Sequence, residues 1–273
     1  MTTPRRLIVN ADDLGLHPGI NAGIFHCQRE GIVTSASICA GGAAVDEALA
    51  GVKASGLDLG VHLTLSGEAA VSPASALPTL APEGRLPAYF TALFWGLTTG
   101  RIRTAEIERE LSAQIERVAG SGVVPSHLDS HQHVHLHPAL LPIVIRLARR
   151  FGVRALRAGR RVVPLLGLRP AALALFAWRA SRRARSEGLR SPDAMLGVAE
   201  SGRLNEDRLV RAVDRLPEGT SELICHPGTD GAAIGIAYAW GFAWDDETRA
   251  LTGTRVREAL ARRAVQLVSY RDL

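Results

Sequence analysis

Residues 7–29 read LIVNADDLGLHPGINAGIFHCQR. A short apolar run, Leu7–Asn10, leads into the acidic pair Asp12-Asp13. A helix is expected from about Pro18 to Arg29, with proline suited to a helix's first turn. Strand then helix is one βα unit, and the pattern recurs along the chain. Further strands are expected at about Val33–Cys39, Leu57–Leu65, Val124–Asp129, Val153–Leu156, Glu222–Cys225 and Val265–Tyr270, with another near Met195–Ala199. Helices are expected at about Val45–Ala54, Thr104–Ala119, Pro138–Arg150, Arg169–Arg185, Glu206–Arg215 and Asp246–Arg263. This alternation predicts an α/β fold on a parallel sheet, a distorted, TIM-barrel-like (β/α) barrel of seven or eight strands. An open doubly wound sheet is the alternative.

The chain has 273 residues, 47% hydrophobic and 22% charged, which excludes a disordered or fibrous protein. No repeat or low-complexity linker divides it, so one domain spanning 1–273 is expected. Two stretches exceed a simple connection. Residues 66–103 hold Pro73, Pro78, Pro82 and Pro87, then the apolar run Tyr89–Leu97, and read as a long loop insertion. Residues 162–190 run from an apolar patch into RASRRARSEGLR.

Cys27, Cys39 and Cys225 lack CxxC spacing, so no disulfide framework is expected and a reducing, cytoplasmic setting fits best. The start, MTTPRRLIVNADDLG, lacks the apolar core of about 7–15 residues that a secretory signal carries. No run approaches the roughly 18 apolar residues of a membrane span. The net charge of +5 is unevenly spread: Arg146–Arg190 holds 13 arginines and one acid, Glu187, so the rest of the chain is acidic. A uniformly basic nucleic-acid binder would not show this, and the arginines lack the interleaved aromatics that stack bases. Peripheral contact of 162–190 with anionic lipid at the inner membrane face is a further expectation, through Leu173, Phe176 and Ala180 and the arginines after them. The alternative is an ordinary barrel helix with solvated arginines.

Five of the nine histidines fall in HLDSHQHVHLH, residues 127–137. On a strand, period-2 alternation puts His127, Asp129 and His131 on one face, where imidazole and carboxylate can build a metal site. His133 is a further candidate; His135 and His137 fall at an expected helix start. Asp12 and Asp13 follow the first strand, His62 lies in DLGVHLTL, and His226 closes ELICH. Parallel topology brings all four strand ends to one mouth. One carboxylate and two imidazoles around a divalent metal, with room for water, make a hydrolytic centre. The second carboxylate would serve as general base and His226 as general acid. There is no GxSxG, GxxxxGK[ST] or strand-following GxGxxG, which argues against a serine hydrolase or a nucleotide-cradling loop.

IVNADDLGL, GVHLTL, PSHLDSHQHVHLHP and ICHPG occur in order and resemble the motifs of the YdjC-type carbohydrate deacetylases, over about residues 6–270. The resemblance implies a distorted (β/α) barrel, a divalent metal, and removal of acetyl groups from N-acetylated amino sugars. It places Asp13, His62 and His131 as metal ligands, Asp12 as catalytic base and His226 as acid. Asp129, His127 and His133 would support the ligands or contact substrate. Leu14, where the motif usually has Phe, and Gln132, where many members have His, depart from the pattern and bear on substrate fit. The Arg-rich segment resembles the hopanoid-associated branch, whose substrate is a lipid-linked amino sugar. One ion per chain is expected, with Zn²⁺, Mn²⁺ or Co²⁺ suiting His₂Asp better than Mg²⁺. The expected partner is the acetylated sugar, without nucleic acid; a homodimer is kept open. A metal-dependent phosphoesterase, with Asp129, His133 and His135 as extra ligands, is the rival enzyme. A basic binding module is the rival from another class.

Overall fold

A computed structural model describes residues 4–163 and 168–273. Pro164 and Gly167, in the apolar start of the 162–190 segment, lie outside the described residues. Among those described, nine strands form one sheet: β1 (Arg5–Leu14), β2 (Ser35–Ile38), β3 (Asp58–Leu63), β4 (His127–Ser130), β5 (Ala155–Leu156), β6 (Arg161–Val163), β7 (Ala194–Leu196), β8 (Gly219–Cys225) and β9 (Val265–Val268). The order is β5-β4-β3-β2-β1-β8-β7-β6, and every pairing is parallel. The first and last strands of that path, β5 and β6, are joined by residues 157–160 alone, and Ala155 bridges to Arg190 shortly before β7 begins. The sheet therefore curls back on itself as a distorted TIM-like barrel, which rules out the open doubly wound alternative.

β9 distorts it further. Arg5–Ile8 of β1 pair with β9, whereas Asn10–Leu14 pair with β2. Since β8 occupies the other edge of β1, β9 is wedged beneath β2. β1, β2 and β3 are almost entirely buried, and their Val, Ile, Leu and Ala side chains form the core.

The helices are α1 (Pro18–Glu30), α2 (Val45–Ser55), α3 (Phe90–Thr98), α4 (Thr104–Gly120), α5 (Leu141–Arg150), α6 (Leu168–Ser186), α7 (Glu206–Asp214), α8 (Gly231–Ala237), α9 (Trp244–Thr252) and α10 (Thr254–Arg262). Pro18 opens α1, where its missing N–H costs nothing, and His17 caps it by accepting from the Gly19 N–H. The single helix expected over Asp246–Arg263 is two, because Gly253 is extended (φ −67°, ψ 147°) and ends α9. The helix expected from Pro138 starts at Leu141, after a 3₁₀ stretch, His131–Leu136.

The 66–103 stretch is built rather than loose. Glu110 accepts from the Val71 and Ser72 N–H groups, and Glu106 from those of Thr79 and Leu80. Leu77, Leu80, Leu86 and Leu93 are buried beneath it, Leu93 lying on α3. In α6, Ala177, Ala180 and Ala184 face inward, Phe176 is half-buried beside His137, and Trp178 is exposed under the Arg182 guanidinium.

Candidate active site

Asp12 and Asp13 are neighbours on β1, and regular alternation would point them to opposite faces of the sheet. The chain avoids this with a bulge. Ala11 pairs with Ala36 and Leu14 with Ile38, so three steps on β1 match two on β2. Asp13 takes up the extra residue in the left-handed region, φ 69°. Both carboxylates consequently reach the carboxyl-end mouth of the barrel, where sites of this architecture sit. β1 runs through the pair to Leu14, four residues past the strand end expected at Asn10.

Three side chains from three strand ends converge. The His131 Nδ1 lies 3.1 Å from Asp13 Oδ1, and the His62 Nε2 lies 3.6 Å from the same oxygen. One ligand atom from each of Asp13, His62 and His131 falls within 4.8 Å of the others, a set that can hold a metal ion. The donor chemistry fits a divalent cation: a buried carboxylate and two imidazoles. His62 is aimed by Asp129, whose Oδ1 lies 2.9 Å from Nδ1 and leaves Nε2 facing Asp13. Burial alone would lower the His62 pKa, but the Asp129 and Asp12 charges push it up to about 9. Burial would raise Asp13, and the His131 and His62 imidazoles outweigh it, holding that carboxyl well below its usual range.

Asp12 has different company. Arg157 Nη1 donates to its Oδ2 at 2.7 Å and Nη2 to its Oδ1 at 2.6 Å, while Asn10 Nδ2 donates to Oδ1 at 2.8 Å. The same guanidinium lies 2.7 Å from Asp129 Oδ2, and its Nε donates to Glu222 Oε1 at 2.8 Å. Arg157 is fully buried. Burial would raise the Asp12 pKa; the Arg157 charge, then His62, overcome that and keep it below the usual range. With one arginine serving three carboxylates, burial pushes Glu222 up to about 7 despite Arg157.

His226, after β8, is buried, with its backbone N–H donating to Glu247 Oε2 at 2.6 Å and its Nδ1 without a protein partner among the described residues. It is close enough to Asp13 for its charge to help lower that carboxyl. Asp129, expected to support a ligand or contact substrate, is fully buried and pairs with His62. His127 shares its face but sits one layer deeper, stacked on Tyr270 at 3.7 Å. Its Nε2 lies 3.0 Å from Ser37 Oγ, which donates to Asp129 Oδ2 at 2.7 Å, and its Nδ1 lies 2.9 Å from Ser126 Oγ. His127 thus reaches the centre through Ser37 rather than touching it. Burial pulls it down to about 4, and His133 and His135 to about 3 and 4. His135 is no exposed helix start: Ser130 Oγ and the Arg157 carbonyl hold its two nitrogens. His133, half-buried in the turn behind His131, has a left-handed backbone like Gln132 before it.

Arg157 escaped the sequence reading because it sits in an Arg-rich run; its signal was its place directly after Leu156, the end of an expected strand. Asn10 and Ser37 were likewise missed. So was AYAWGFAW, residues 237–244, whose alternating aromatics put Trp240 5.2 Å from His131 and Phe242 5.1 Å from His226, ring centre to ring centre.

The YdjC-like protein family matches residues 6–262. The chain belongs to the YdjC-like family. This YdjC-like chain is 34% identical to a carbohydrate deacetylase of Geobacillus stearothermophilus, over 98% of each chain. It is 37% identical to a chitooligosaccharide deacetylase of Klebsiella pneumoniae (strain 342), over 98% of this chain and 99% of that one. A human carbohydrate deacetylase is 33% identical over 100% of this chain and 93% of its own. Among solved structures, a protein of Enterococcus faecalis V583, assigned provisionally to cellobiose-phosphate cleavage, superposes with a TM-score of 0.79 at 26% identity over 99% of both chains. The motif-based assignment to the YdjC type is thereby shown.

Proposed function

We propose that this chain is a hydrolase that removes the acetyl group from an N-acetylated amino sugar, with one divalent metal ion held by Asp13, His62 and His131. Its relatives named carbohydrate and chitooligosaccharide deacetylases support the reaction class. The observation that carries the mechanism is the unlike environment of two adjacent carboxylates: Asp13 faces two imidazoles, and Asp12 is clamped by Arg157. Paired carboxylates with divergent surroundings take different roles.

A bound divalent ion would polarise the acetamide carbonyl and acidify water. Asp12, kept ionised and immobile by Arg157 and Asn10, accepts the proton of the attacking water. Arg157 weakens Asp12 as a base, so its fitness rests on its position and on being ionised before the water arrives. Asp129 holds the His62 ring in one orientation. His226, buried beside Phe242 and near Asp13, delivers a proton to the departing amine. The substrate is the acetamido sugar, free, in an oligosaccharide or joined to a lipid.

A two-metal phosphoesterase fits less well. The second possible ligand group, Asp12, His62 and Asp129, shares His62 with the first, and the Arg157 guanidinium already pairs with both its carboxylates. A second cation about 3.5–4 Å from the first would meet that fixed positive charge. The test is acetate released from a panel of N-acetylated sugars, lipid-linked ones included, by wild type and Asp12→Asn. Asp12→Asn is expected to keep its metal and lose roughly 10²–10⁴-fold in turnover. Near-full activity in Asp12→Asn would remove Asp12 from this role; phosphate released from phosphoesters, with no acetate, would favour the rival.

A further inference from the structure

The stretch after α8 places an aromatic ring at every second position: Tyr238, Trp240, Phe242 and Trp244. Trp244 is 3% exposed and opens α9, so it anchors the row in the core. The other three stop half-buried. Tyr238 packs on Trp240 with ring centres 4.7 Å apart, and Trp240 on Phe242 at 5.5 Å. The Tyr238 hydroxyl donates to the Leu16 carbonyl at 3.3 Å, tying the row to the chain just beyond β1. The row leans on the centre at two points. Trp240 lies 5.2 Å from His131 with the planes 37° apart, and Phe242 lies 5.1 Å from His226 at 65°.

Large aromatic surface left partly in water beside convergent polar groups is how small-molecule sites are built. The chemistry here selects the ligand. A pyranose with equatorial substituents shows a flat face of axial C–H bonds, whose slight positive charge suits the negative face of an aromatic ring. Its hydroxyl edge stays free for water or polar side chains. Resting on the deacetylase reading, we propose that Tyr238, Trp240 and Phe242 form the sugar-binding wall of this site. Trp240 is its platform, stacking on the C–H face of the pyranose that bears the acetamido group and directing that group toward His131 and His226.

The experiment compares metal-loaded wild type, Trp240→Phe and Trp240→Ala. Each is measured for metal content, for kcat and KM in acetate release, and for equilibrium binding of an N-acetylglucosamine trisaccharide by calorimetry. Trp240→Ala is expected to bind the trisaccharide on the order of tenfold more weakly, with KM rising likewise and kcat changing far less. Trp240→Phe recovers most of that loss, and both variants keep the wild-type metal content. Unchanged trisaccharide affinity in Trp240→Ala overturns the wall even where acetate is released normally. If wild type binds the trisaccharide without releasing acetate, and Trp240→Ala weakens that binding, the wall stands and the hydrolysis reading fails. A wild type that neither binds nor hydrolyses the trisaccharide overturns the wall as proposed, while acetate released from another sugar of the panel would keep the deacetylase reading.

Discussion

Arg157 carries the electrostatics of the centre, with one guanidinium inside a ring of Asp12, Asp129 and Glu222. A buried charge network is costly to break from one side, because the remaining charges lose their partner without regaining water. Arg157→Met is therefore expected to lose about 3–5 kcal/mol of unfolding free energy in urea titrations; a loss under about 1 kcal/mol would mean the carboxylates are hydrated or protonated. The buried histidines set a pH dependence. His127 and His135 have pKa values pulled down to about 4, below the free-imidazole 6.5, so the folded state binds fewer protons than the unfolded one between those values. Their contribution is complete above pH 6.5 and is lost as pH falls toward 4. Melting temperature should decline over that window, and His127→Gln should flatten the decline; an unchanged profile would contradict neutral burial. Asp12, Asp13, His62, His131 and His226 were legible in the sequence because each ends or follows an apolar strand. Arg157 was not, since identity alone could not separate it from 12 other arginines between 146 and 190.

At the level of elements, β1 shows both what patterning reveals and where it stops. The alternation of short apolar runs with helical stretches was enough for the parallel barrel, because buried parallel strands read as continuous apolar segments. The bulge at Asp13 was not readable: it depends on pairing with β2, and only it lets adjacent aspartates share one mouth. Short elements escaped for a similar reason. β6 is defined by its partner β7 more than by its own three residues, and α3 forms within the proline-bearing insertion, where Leu93 is buried. Close approach of strands makes its own prediction. A Cβ placed on Gly60 of β3 would overlap the His127 ring on β4. Gly60→Ala should cost about 1–3 kcal/mol by overpacking and disturb the His127–Ser37–Asp129 chain behind His62. Chemical denaturation checks this, and a fully stable Gly60→Ala would show that the layer beneath the centre is loose.

For the molecule as a whole, about half of the arginines between 146 and 190 are paired with acids elsewhere in the fold. Arg146 pairs with Glu108, Arg149 and Arg183 with Glu187, Arg150 with Glu116, and Arg160 and Arg185 with Asp193. β1 pairs with β2 from early in the sequence and with β8 and β9 from late in it, so no cut in sequence leaves the barrel whole. We accordingly expect one cooperative unfolding transition, with far-UV circular dichroism and tryptophan fluorescence changing together; separated transitions would divide the chain. The central claim is that four strand ends build a centre for a single ion, with Asp13 as ligand and Asp12 beside it as base. Its most direct test is the number of divalent ions per chain, by elemental analysis after exhaustive dialysis. One ion in wild type and in Asp12→Asn, and none in Asp13→Ala or His131→Ala, is the predicted result. Two ions per wild-type chain, or one that survives Asp13→Ala, would contradict it.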